Sequence, residues 1–124
     1  MLFRFPVAVG EAVSNRVLWK NFLQARAVGI VQADCTRPAG ISEWLAVAML
    51  ARQFPVRVVP HVGDMGQIHQ HLVLFSHIAL GHEKLFLEYI PHLRDNFVHP
   101  ANVVGGHYMP SLEPGCGTDI YPSS

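Results

Sequence analysis

The sequence predicts an α/β fold in which short buried strands alternate with single helices. Four short apolar segments recur along the chain, and the first three are each followed by a stretch with apolar residues at helical spacing. Single helices of about 10–15 residues between strands are typical of βα units and of a parallel sheet. The strands are almost continuously apolar, which predicts that other elements cover both faces of the sheet.

The first predicted unit begins with a strand from Phe5 to Val9. A helix is expected from about Val13 to Ala27, because Leu18, Phe22 and Ala25 recur at the spacing of one helix face. These three residues therefore line one face of the predicted helix.

The second predicted unit begins with a strand from Gly29 to Ala33. Pro38 and Gly40 interrupt the pattern and indicate a loop after this strand. The next helix is predicted over residues 42–54, with Ser42 as its N-cap, because a serine hydroxyl can accept hydrogen bonds from the first free backbone amides.

The third predicted strand is Val56 to Val59, and the loop HVGDMG follows it. A helix is expected after this loop, because Ile68, Leu72, Phe75 and Ala79 recur at intervals of four, three and four residues. A fourth strand is predicted from Leu85 to Leu87, and the regular pattern ends after Pro91. The remainder is rich in proline, glycine and histidine.

Composition excludes several classes of protein. The chain has 124 residues with nine basic and nine acidic side chains, so its formal net charge is zero. This balance argues against nucleic-acid or membrane binding by bulk charge. No apolar run approaches the roughly 18 residues that span a bilayer, and the first residues do not resemble a secretory signal. Two cysteines make no disulfide framework, so we expect a cytoplasmic protein.

One ionisable residue follows each predicted strand: Glu11, Asp34, His61 and Glu88, at intervals of 23, 27 and 27 residues. The carboxyl ends of parallel strands meet at one edge, where α/β folds bind ligands. Three carboxylates and an imidazole at such an edge can bind a divalent cation and transfer protons. The alternative is that each residue merely caps the end of its strand.

These residues and the segments around them resemble the C-terminal half of the enolase-superfamily barrel, in the mandelate racemase subgroup. Within it, the chain is most similar to the L-fuconate dehydratase-like acid-sugar dehydratases. The segments that carry the resemblance are GEAVSNRVLWKNFLQARAV, VQADCTRPAGISEWLAVAMLA, VPHVGDMGQIHQHLVLF, LEY and HYMPSLEPGCGTDI. The resemblance implies that residues 1–104 form four βα units, half of a (β/α)8 barrel, and that residues 105–124 form an irregular tail.

The resemblance also implies a role for each strand-end residue. Glu11 matches a ligand of the family's magnesium ion, His61 the catalytic histidine, Asp34 the aspartate that orients it, and Glu88 a glutamate beside the substrate carboxylate. Family enzymes abstract the proton alpha to a carboxylate. In the dehydratases the histidine then acts as the acid that expels the 3-hydroxyl, and the product is a 2-keto-3-deoxy acid.

Other parts that the family requires have no counterpart in this sequence. The only lysines are Lys20 and Lys84, so the family's Lys-x-Lys motif is missing, as are two metal carboxylates and the capping domain. We therefore expect the chain alone to be inactive and to self-associate or to bind a missing N-terminal half-barrel and capping domain. Two alternatives stay open: a non-catalytic half-barrel that serves as an interaction module, and half of a racemase or epimerase.

The cysteine, tryptophan and histidine residues outside this set are expected to have structural roles. Cys35 is expected to be a small buried apolar residue, and Trp19 and Trp44 are expected to pack between helix and sheet. The other histidines, among them His69 and His71, are expected to serve in packing or on the surface.

Two arginines follow strand ends and have two interpretations each. Arg16 and Arg37 are placed where a guanidinium can bind a sugar carboxylate, and a surface salt bridge is the competing role for both.

Overall fold

The computed structural model describes residues 5–62, 66–83 and 86–122. Its strands β1 (Ala8–Val9), β2 (Ile30–Val31) and β3 (Arg57–Val58) form a parallel sheet in that order. The helices between and after them are α1 (Arg16–Gln24), α2 (Ile41–Ala51) and α3 (Gly66–Leu80). The α/β class with a parallel sheet is thus confirmed. Within the described ranges, no helix is both long and apolar enough to cross a membrane.

The sheet is buried at its centre and exposed at β1. Val9, Val31 and Val58 pair in register and share one face of the sheet. Val31 on the middle strand is fully buried, whereas both residues of β1 are exposed. The expectation that both faces of every strand are covered is therefore wrong for β1, which is an edge strand with a neighbour on one side only.

Hydrogen bonds and an ion pair connect the start of α1 to α2. The Asn15 side chain caps α1 by accepting hydrogen bonds from the backbone amides of Val17 and Leu18, both at 3.0 Å. The buried Glu43 carboxylate of α2 accepts from the backbone amide of Arg16 and from its guanidinium, with a distance of 2.8 Å to Nε. Hydrogen bonding to Arg16 lowers the pKa of Glu43. Arg16 therefore forms a salt bridge between helices.

The buried face of α1 is not the one that carries Leu18 and Phe22. Trp19 and Leu23 are each 1% exposed, whereas Leu18 and Phe22 are 42% and 38% exposed. Both sets have helical spacing, and the buried set is displaced by one residue. Helix α1 is apolar on adjacent faces, and contact with the sheet and α2 selects between them. Trp19 packs in the core, as expected.

Helix α3 buries a face that includes two polar side chains. Its fully or nearly fully buried residues include His69, Leu72 and Ser76, while Phe75 and Ala79 are exposed. The helix therefore presents an imidazole and a hydroxyl to the interior of the protein together with Leu72.

Helix α2 begins earlier than predicted. Ile41 is its first residue and Gly40 is its N-cap, with a φ of +84° that favours glycine. Ser42 is therefore not the N-cap but lies in the first turn. The interior of α2 is strongly apolar and includes the buried Trp44, as expected.

The predicted fourth strand is not observed. Leu85 lies outside the described residues, and Phe86 and Leu87 do not belong to a strand. No backbone hydrogen bond between described residues joins 86–90 to β3. Within the described residues, the parallel sheet therefore has three strands where four were expected.

The C-terminal region is more regular than predicted. A 3₁₀ turn spans Arg94–Asn96, and β4 (Asn102–Val104) pairs antiparallel with β5 (His107–Met109). An isolated bridge also joins Phe97 to Ile120. The predicted boundary at residue 104 falls at the turn of this hairpin, and the division into a half-barrel and a tail stays a prediction.

Candidate functional site

The site lies at the carboxyl ends of the three parallel strands, and Gly10 permits the close approach of the first two. A side chain at position 10 would overlap the Gln32 carbonyl and would come within 2.8 Å of the Trp19 ring. The absence of a Cβ therefore lets β1 end directly against β2. Glu11, the next residue, emerges at that edge.

His61 and Asp34 form a hydrogen-bonded pair across neighbouring strand ends. Asp34 follows β2, His61 follows β3, and the distance from His61 Nδ1 to Asp34 Oδ2 is 2.9 Å. The Asp34 side chain is 2% exposed and that of His61 is 14% exposed. The aspartate is thus enclosed, while the imidazole retains access to the surface.

The other oxygen of Asp34 is bound from within the protein. Oδ1 accepts hydrogen bonds from the backbone amide and the hydroxyl of Thr36, at 2.8 and 2.7 Å, and lies 3.3 Å from His69 Nε2. Burial by itself raises the pKa of Asp34, but the hydrogen bonds donated by Thr36 and His61 outweigh it and hold that pKa well below its usual range. Asp34 is therefore an anion at neutral pH.

The charge of Asp34 determines the tautomer of His61. An ionised carboxylate can only accept hydrogen bonds, so Nδ1 of His61 must carry the proton that joins them. The opposite nitrogen, Nε2, lies 3.9 Å from a carboxylate oxygen of Glu11 and 3.9 Å from one of Glu88. This nitrogen of the imidazole thus lies within 4 Å of two carboxylates.

Glu11 is exposed and pairs with Arg37. Its Oε1 lies 3.0 Å from the Arg37 guanidinium, and both side chains are more than half exposed. Arg37 Nε also lies 3.8 Å from Oδ2 of Asp34. Because exposed ion pairs are weak, a ligand can displace Arg37 from Glu11 at little cost.

Glu88 reaches the site without belonging to a strand. Its Oε2 accepts from the backbone amide of Val62 at 3.3 Å, and its main-chain oxygen accepts from the Tyr108 hydroxyl at 2.8 Å. Burial, followed by the neighbouring Tyr89 and Glu88, raises the pKa of Tyr108 to about 12. Hairpin residue Tyr108 therefore anchors the segment that carries Glu88.

The structure brings together all four strand-end residues, whereas Arg16 is engaged elsewhere. Sequence reasoning missed Thr36 and His69. The Asp-x-Thr spacing is a known pattern of side chain to backbone hydrogen bonding and would have indicated Thr36. The spacing of residues 69, 72 and 76 on one helical face would have indicated that His69 is buried.

Comparison with known proteins identifies the family of the chain. Residues 2–124 match the profile of the Enolase C-terminal domain-like family. The chain belongs to this family. It is 34% identical over 120 residues to an L-galactonate dehydratase from Hypocrea jecorina, an alignment that covers 95% of the chain and 27% of the relative.

Solved structures of the enolase superfamily share this fold. The crystal structure of human mitochondrial enolase superfamily member 1 has a TM-score of 0.86 and 34% identity, and the match covers 95% of this chain and 28% of that one. An L-talarate dehydratase from Polaromonas sp. JS666, complexed with Mg and L-glucarate, has a TM-score of 0.79 at 23% identity, covering 98% and 31%. The chain thus spans between a quarter and a third of the length of these relatives.

Proposed function

We propose that this chain supplies the histidine–aspartate half of the active site of a magnesium-dependent acid-sugar dehydratase. The observation that carries the proposal is the His61–Asp34 hydrogen bond of 2.9 Å, with the other His61 nitrogen facing Glu11 and Glu88. Membership of the enolase C-terminal domain-like family and similarity to an L-galactonate dehydratase support it.

His61 is the proton carrier in this proposal. Its Nε2 atom is free of Asp34, and an imidazole exchanges protons readily near neutral pH. A base from outside this chain removes the proton alpha to the substrate carboxylate. His61, which carries a proton on both ring nitrogens for this step, then gives its Nε2 proton to the 3-hydroxyl. The C3–O bond breaks, water leaves, and His61 is left neutral with its proton on Nδ1. Asp34 acts through His61, since it keeps the proton on Nδ1 throughout.

Glu11 is the proposed magnesium ligand. Its carboxylate is 59% exposed, lies at the strand-end edge and offers the hard oxygen atoms that Mg²⁺ prefers. Proteins commonly bind Mg²⁺ through one or two carboxylates, and water and substrate complete its octahedral coordination. One carboxylate fits that pattern in part, and the remaining protein ligands would come from outside this chain. When bound, the ion stabilises negative charge on the substrate carboxylate.

Glu88 is proposed to contact the substrate near its carboxylate end. Its carboxylate lies 3.9 Å from His61 Nε2, the nitrogen proposed to donate the proton, and it accepts a hydrogen bond from the Val62 amide. The proposed substrate class is a sugar acid with a proton alpha to the carboxylate and a hydroxyl at the next carbon. L-fuconate is the first candidate and L-galactonate the second.

The proposal is tested by grafting. The chain replaces the matching segment of human mitochondrial enolase superfamily member 1, and the chimera is incubated with Mg²⁺ and a panel of sugar acids in D2O. Proton NMR then distinguishes a 2-keto-3-deoxy product from a substrate epimer that carries deuterium at C2. We expect the 2-keto-3-deoxy acid from the chimera and no product from the chain alone.

Two variants of the chimera serve as controls. His61→Asn should abolish product formation, whereas His92→Asn, which alters an exposed histidine outside the site, should preserve it. Deuterated epimer without dehydration would support a racemase or epimerase half instead. A folded chimera that neither turns over any substrate nor binds Mg²⁺ by calorimetry would support a non-catalytic interaction module.

A further inference from the structure

His69 is a buried histidine that the proposed reaction does not use. It lies on α3, the helix that follows His61 in sequence, and its side chain has no exposed surface. Burial of a polar imidazole is costly unless it is hydrogen-bonded. Its environment therefore indicates a specific role.

The contacts of His69 converge on the turn that holds Asp34. Its Nε2 atom accepts a hydrogen bond from the backbone amide of Cys35 at 3.1 Å and lies 3.3 Å from Oδ1 of Asp34. The same turn is closed by Thr36, which donates twice to Oδ1. With Oδ1 held in this way, Oδ2 is directed at His61.

A metal site is the competing interpretation of this cluster. Asp34, Cys35 and His69 are all buried, and their ligand atoms lie within 4.8 Å of one another. However, Oδ1 of Asp34 already accepts two hydrogen bonds and Oδ2 accepts one from His61, while His69 Nε2 accepts one from Cys35. A cation would have to break these bonds, so the geometry favours a structural role in the turn.

We propose that His69 is a positioning residue for the His61–Asp34 pair. Through Nε2 it fixes the peptide after Asp34, so that this carboxylate keeps its orientation toward Nδ1 of His61. The catalytic significance of this role rests on the proposed function, but the role itself is a property of the chain without substrate or metal.

The first test uses the wild-type chain labelled with ¹⁵N. A scalar coupling across the hydrogen bond between the Cys35 amide nitrogen and His69 Nε2 is expected in the NMR spectrum. Absence of this coupling in the folded chain would overturn the proposal.

The second test compares three variants. In His69→Met the Cys35 amide should exchange with solvent about five- to tenfold faster, as expected when one hydrogen bond is lost, and the Nδ1–H tautomer of His61 should become less populated. His69→Gln retains a polar group near the position of Nε2 and should restore both signals. Leu72→Ala, on the same helix and also buried, should destabilise the fold without changing the His61 tautomer.

These results separate a positioning role from simple packing. If Leu72→Ala shifts the His61 tautomer as much as His69→Met does, or if His69→Gln fails to restore it, the proposal is wrong. None of these signals requires turnover, so a dehydratase assay of the chimera can fail while the role of His69 stands, and the reverse also holds.

Discussion

At the scale of single residues, the central feature is the Asp34 carboxylate, whose two oxygens accept hydrogen bonds from different parts of the chain. Oδ1 of Asp34 is bound by Thr36 within its own turn, and Oδ2 binds His61 on the next strand end. Because both oxygens accept hydrogen bonds, the carboxylate is held as an anion in a buried place. The anion in turn fixes the tautomer of His61, so the geometry of one turn controls the chemistry of the imidazole.

We predict that Asp34→Asn lowers the stability of the chain by about 1–3 kcal/mol at pH 7, because an amide nitrogen replaces one acceptor in a buried network. The folded-state pKa of Asp34 is lowered, so its stabilising contribution is present above the unfolded-state pKa of about 3.9 and decreases as the pH falls through that value. The stability difference between wild type and variant should therefore shrink in acid. Urea denaturation between neutral and acidic pH measures it.

The control for this variant is Asp95→Asn. The Asp95 side chain is 94% exposed, and its only ion pair within the described residues is with the adjacent Arg94. It should leave stability nearly unchanged at every pH. A difference between wild type and Asp34→Asn that is independent of pH would contradict the lowered pKa of Asp34.

At the scale of elements, the C-terminal hairpin supports Glu88, which the sequence predicted to follow a fourth strand. Glu88 was expected at the end of a fourth strand, yet it reaches His61 from a segment that is not in a strand. Tyr108 of β5 binds the main-chain oxygen of Glu88, and the rings of Tyr89 and Tyr108 meet edge to face with centroids 5.7 Å apart. The hairpin is thus part of the support of the site.

We predict that Tyr108→Phe destabilises the chain by about 1 kcal/mol, since it removes one partly buried hydrogen bond and keeps the ring. The pKa of Tyr108 is raised to about 12 in the folded chain. Between the usual tyrosine pKa of about 10 and that value, the unfolded chain releases its proton first, so the wild type should lose stability as the pH rises. Chemical denaturation at alkaline pH should show a smaller loss in Tyr108→Phe.

Tyr121→Phe is the matched control for the hairpin variant. Tyr121 is 47% exposed, so loss of its hydroxyl should have little effect on stability. Equal effects of the two substitutions would show that Tyr108 does not anchor the Glu88 segment in particular.

At the scale of the whole molecule, the chain exposes apolar surface on its edge strand and outer helix. Val9 in β1 and Val7 just before it are 37% and 39% exposed, and Ile78 on α3 is 81% exposed. Edge strands with apolar side chains pair readily with further strands. The chain covers 28% of the human structure that it matches with a TM-score of 0.86. We propose that the remaining part of such a protein, or a second copy of the chain, covers β1.

We predict that the chain alone self-associates through β1. Sedimentation velocity over a range of concentrations should show dimers or larger species. Val7→Lys should shift the distribution toward monomer, because a charged residue on an edge strand opposes pairing. Leu112→Lys, at a position that is 98% exposed in the C-terminal region, should not. A wild-type chain that stays monomeric and folded at all concentrations would contradict the prediction.

The α/β class, the order of the first three strands and helices, and the positions of the residues that meet at the site could be predicted from the sequence. Glu11, Asp34 and His61 each follow a short apolar segment. The carboxyl ends of parallel strands lie at the same edge of the sheet, however long the strands are. This is why their convergence was predictable although the strands proved shorter than expected. The segments that resemble the enolase superfamily also contain these site residues. The resemblance predicted the family correctly.

Tertiary structure alone decided which helical faces are buried and what holds the site in place. Periodicity places Leu18 and Phe22 on one face of α1, but it cannot choose between that face and the neighbouring one with Trp19 and Leu23, since both are apolar. Because α3 has the same ambiguity, its sequence did not indicate that His69 is buried. The path of residues 86–90 depended on Tyr108, which lies far along the chain. Such choices depend on contacts between distant residues, and local patterns in a sequence do not contain them.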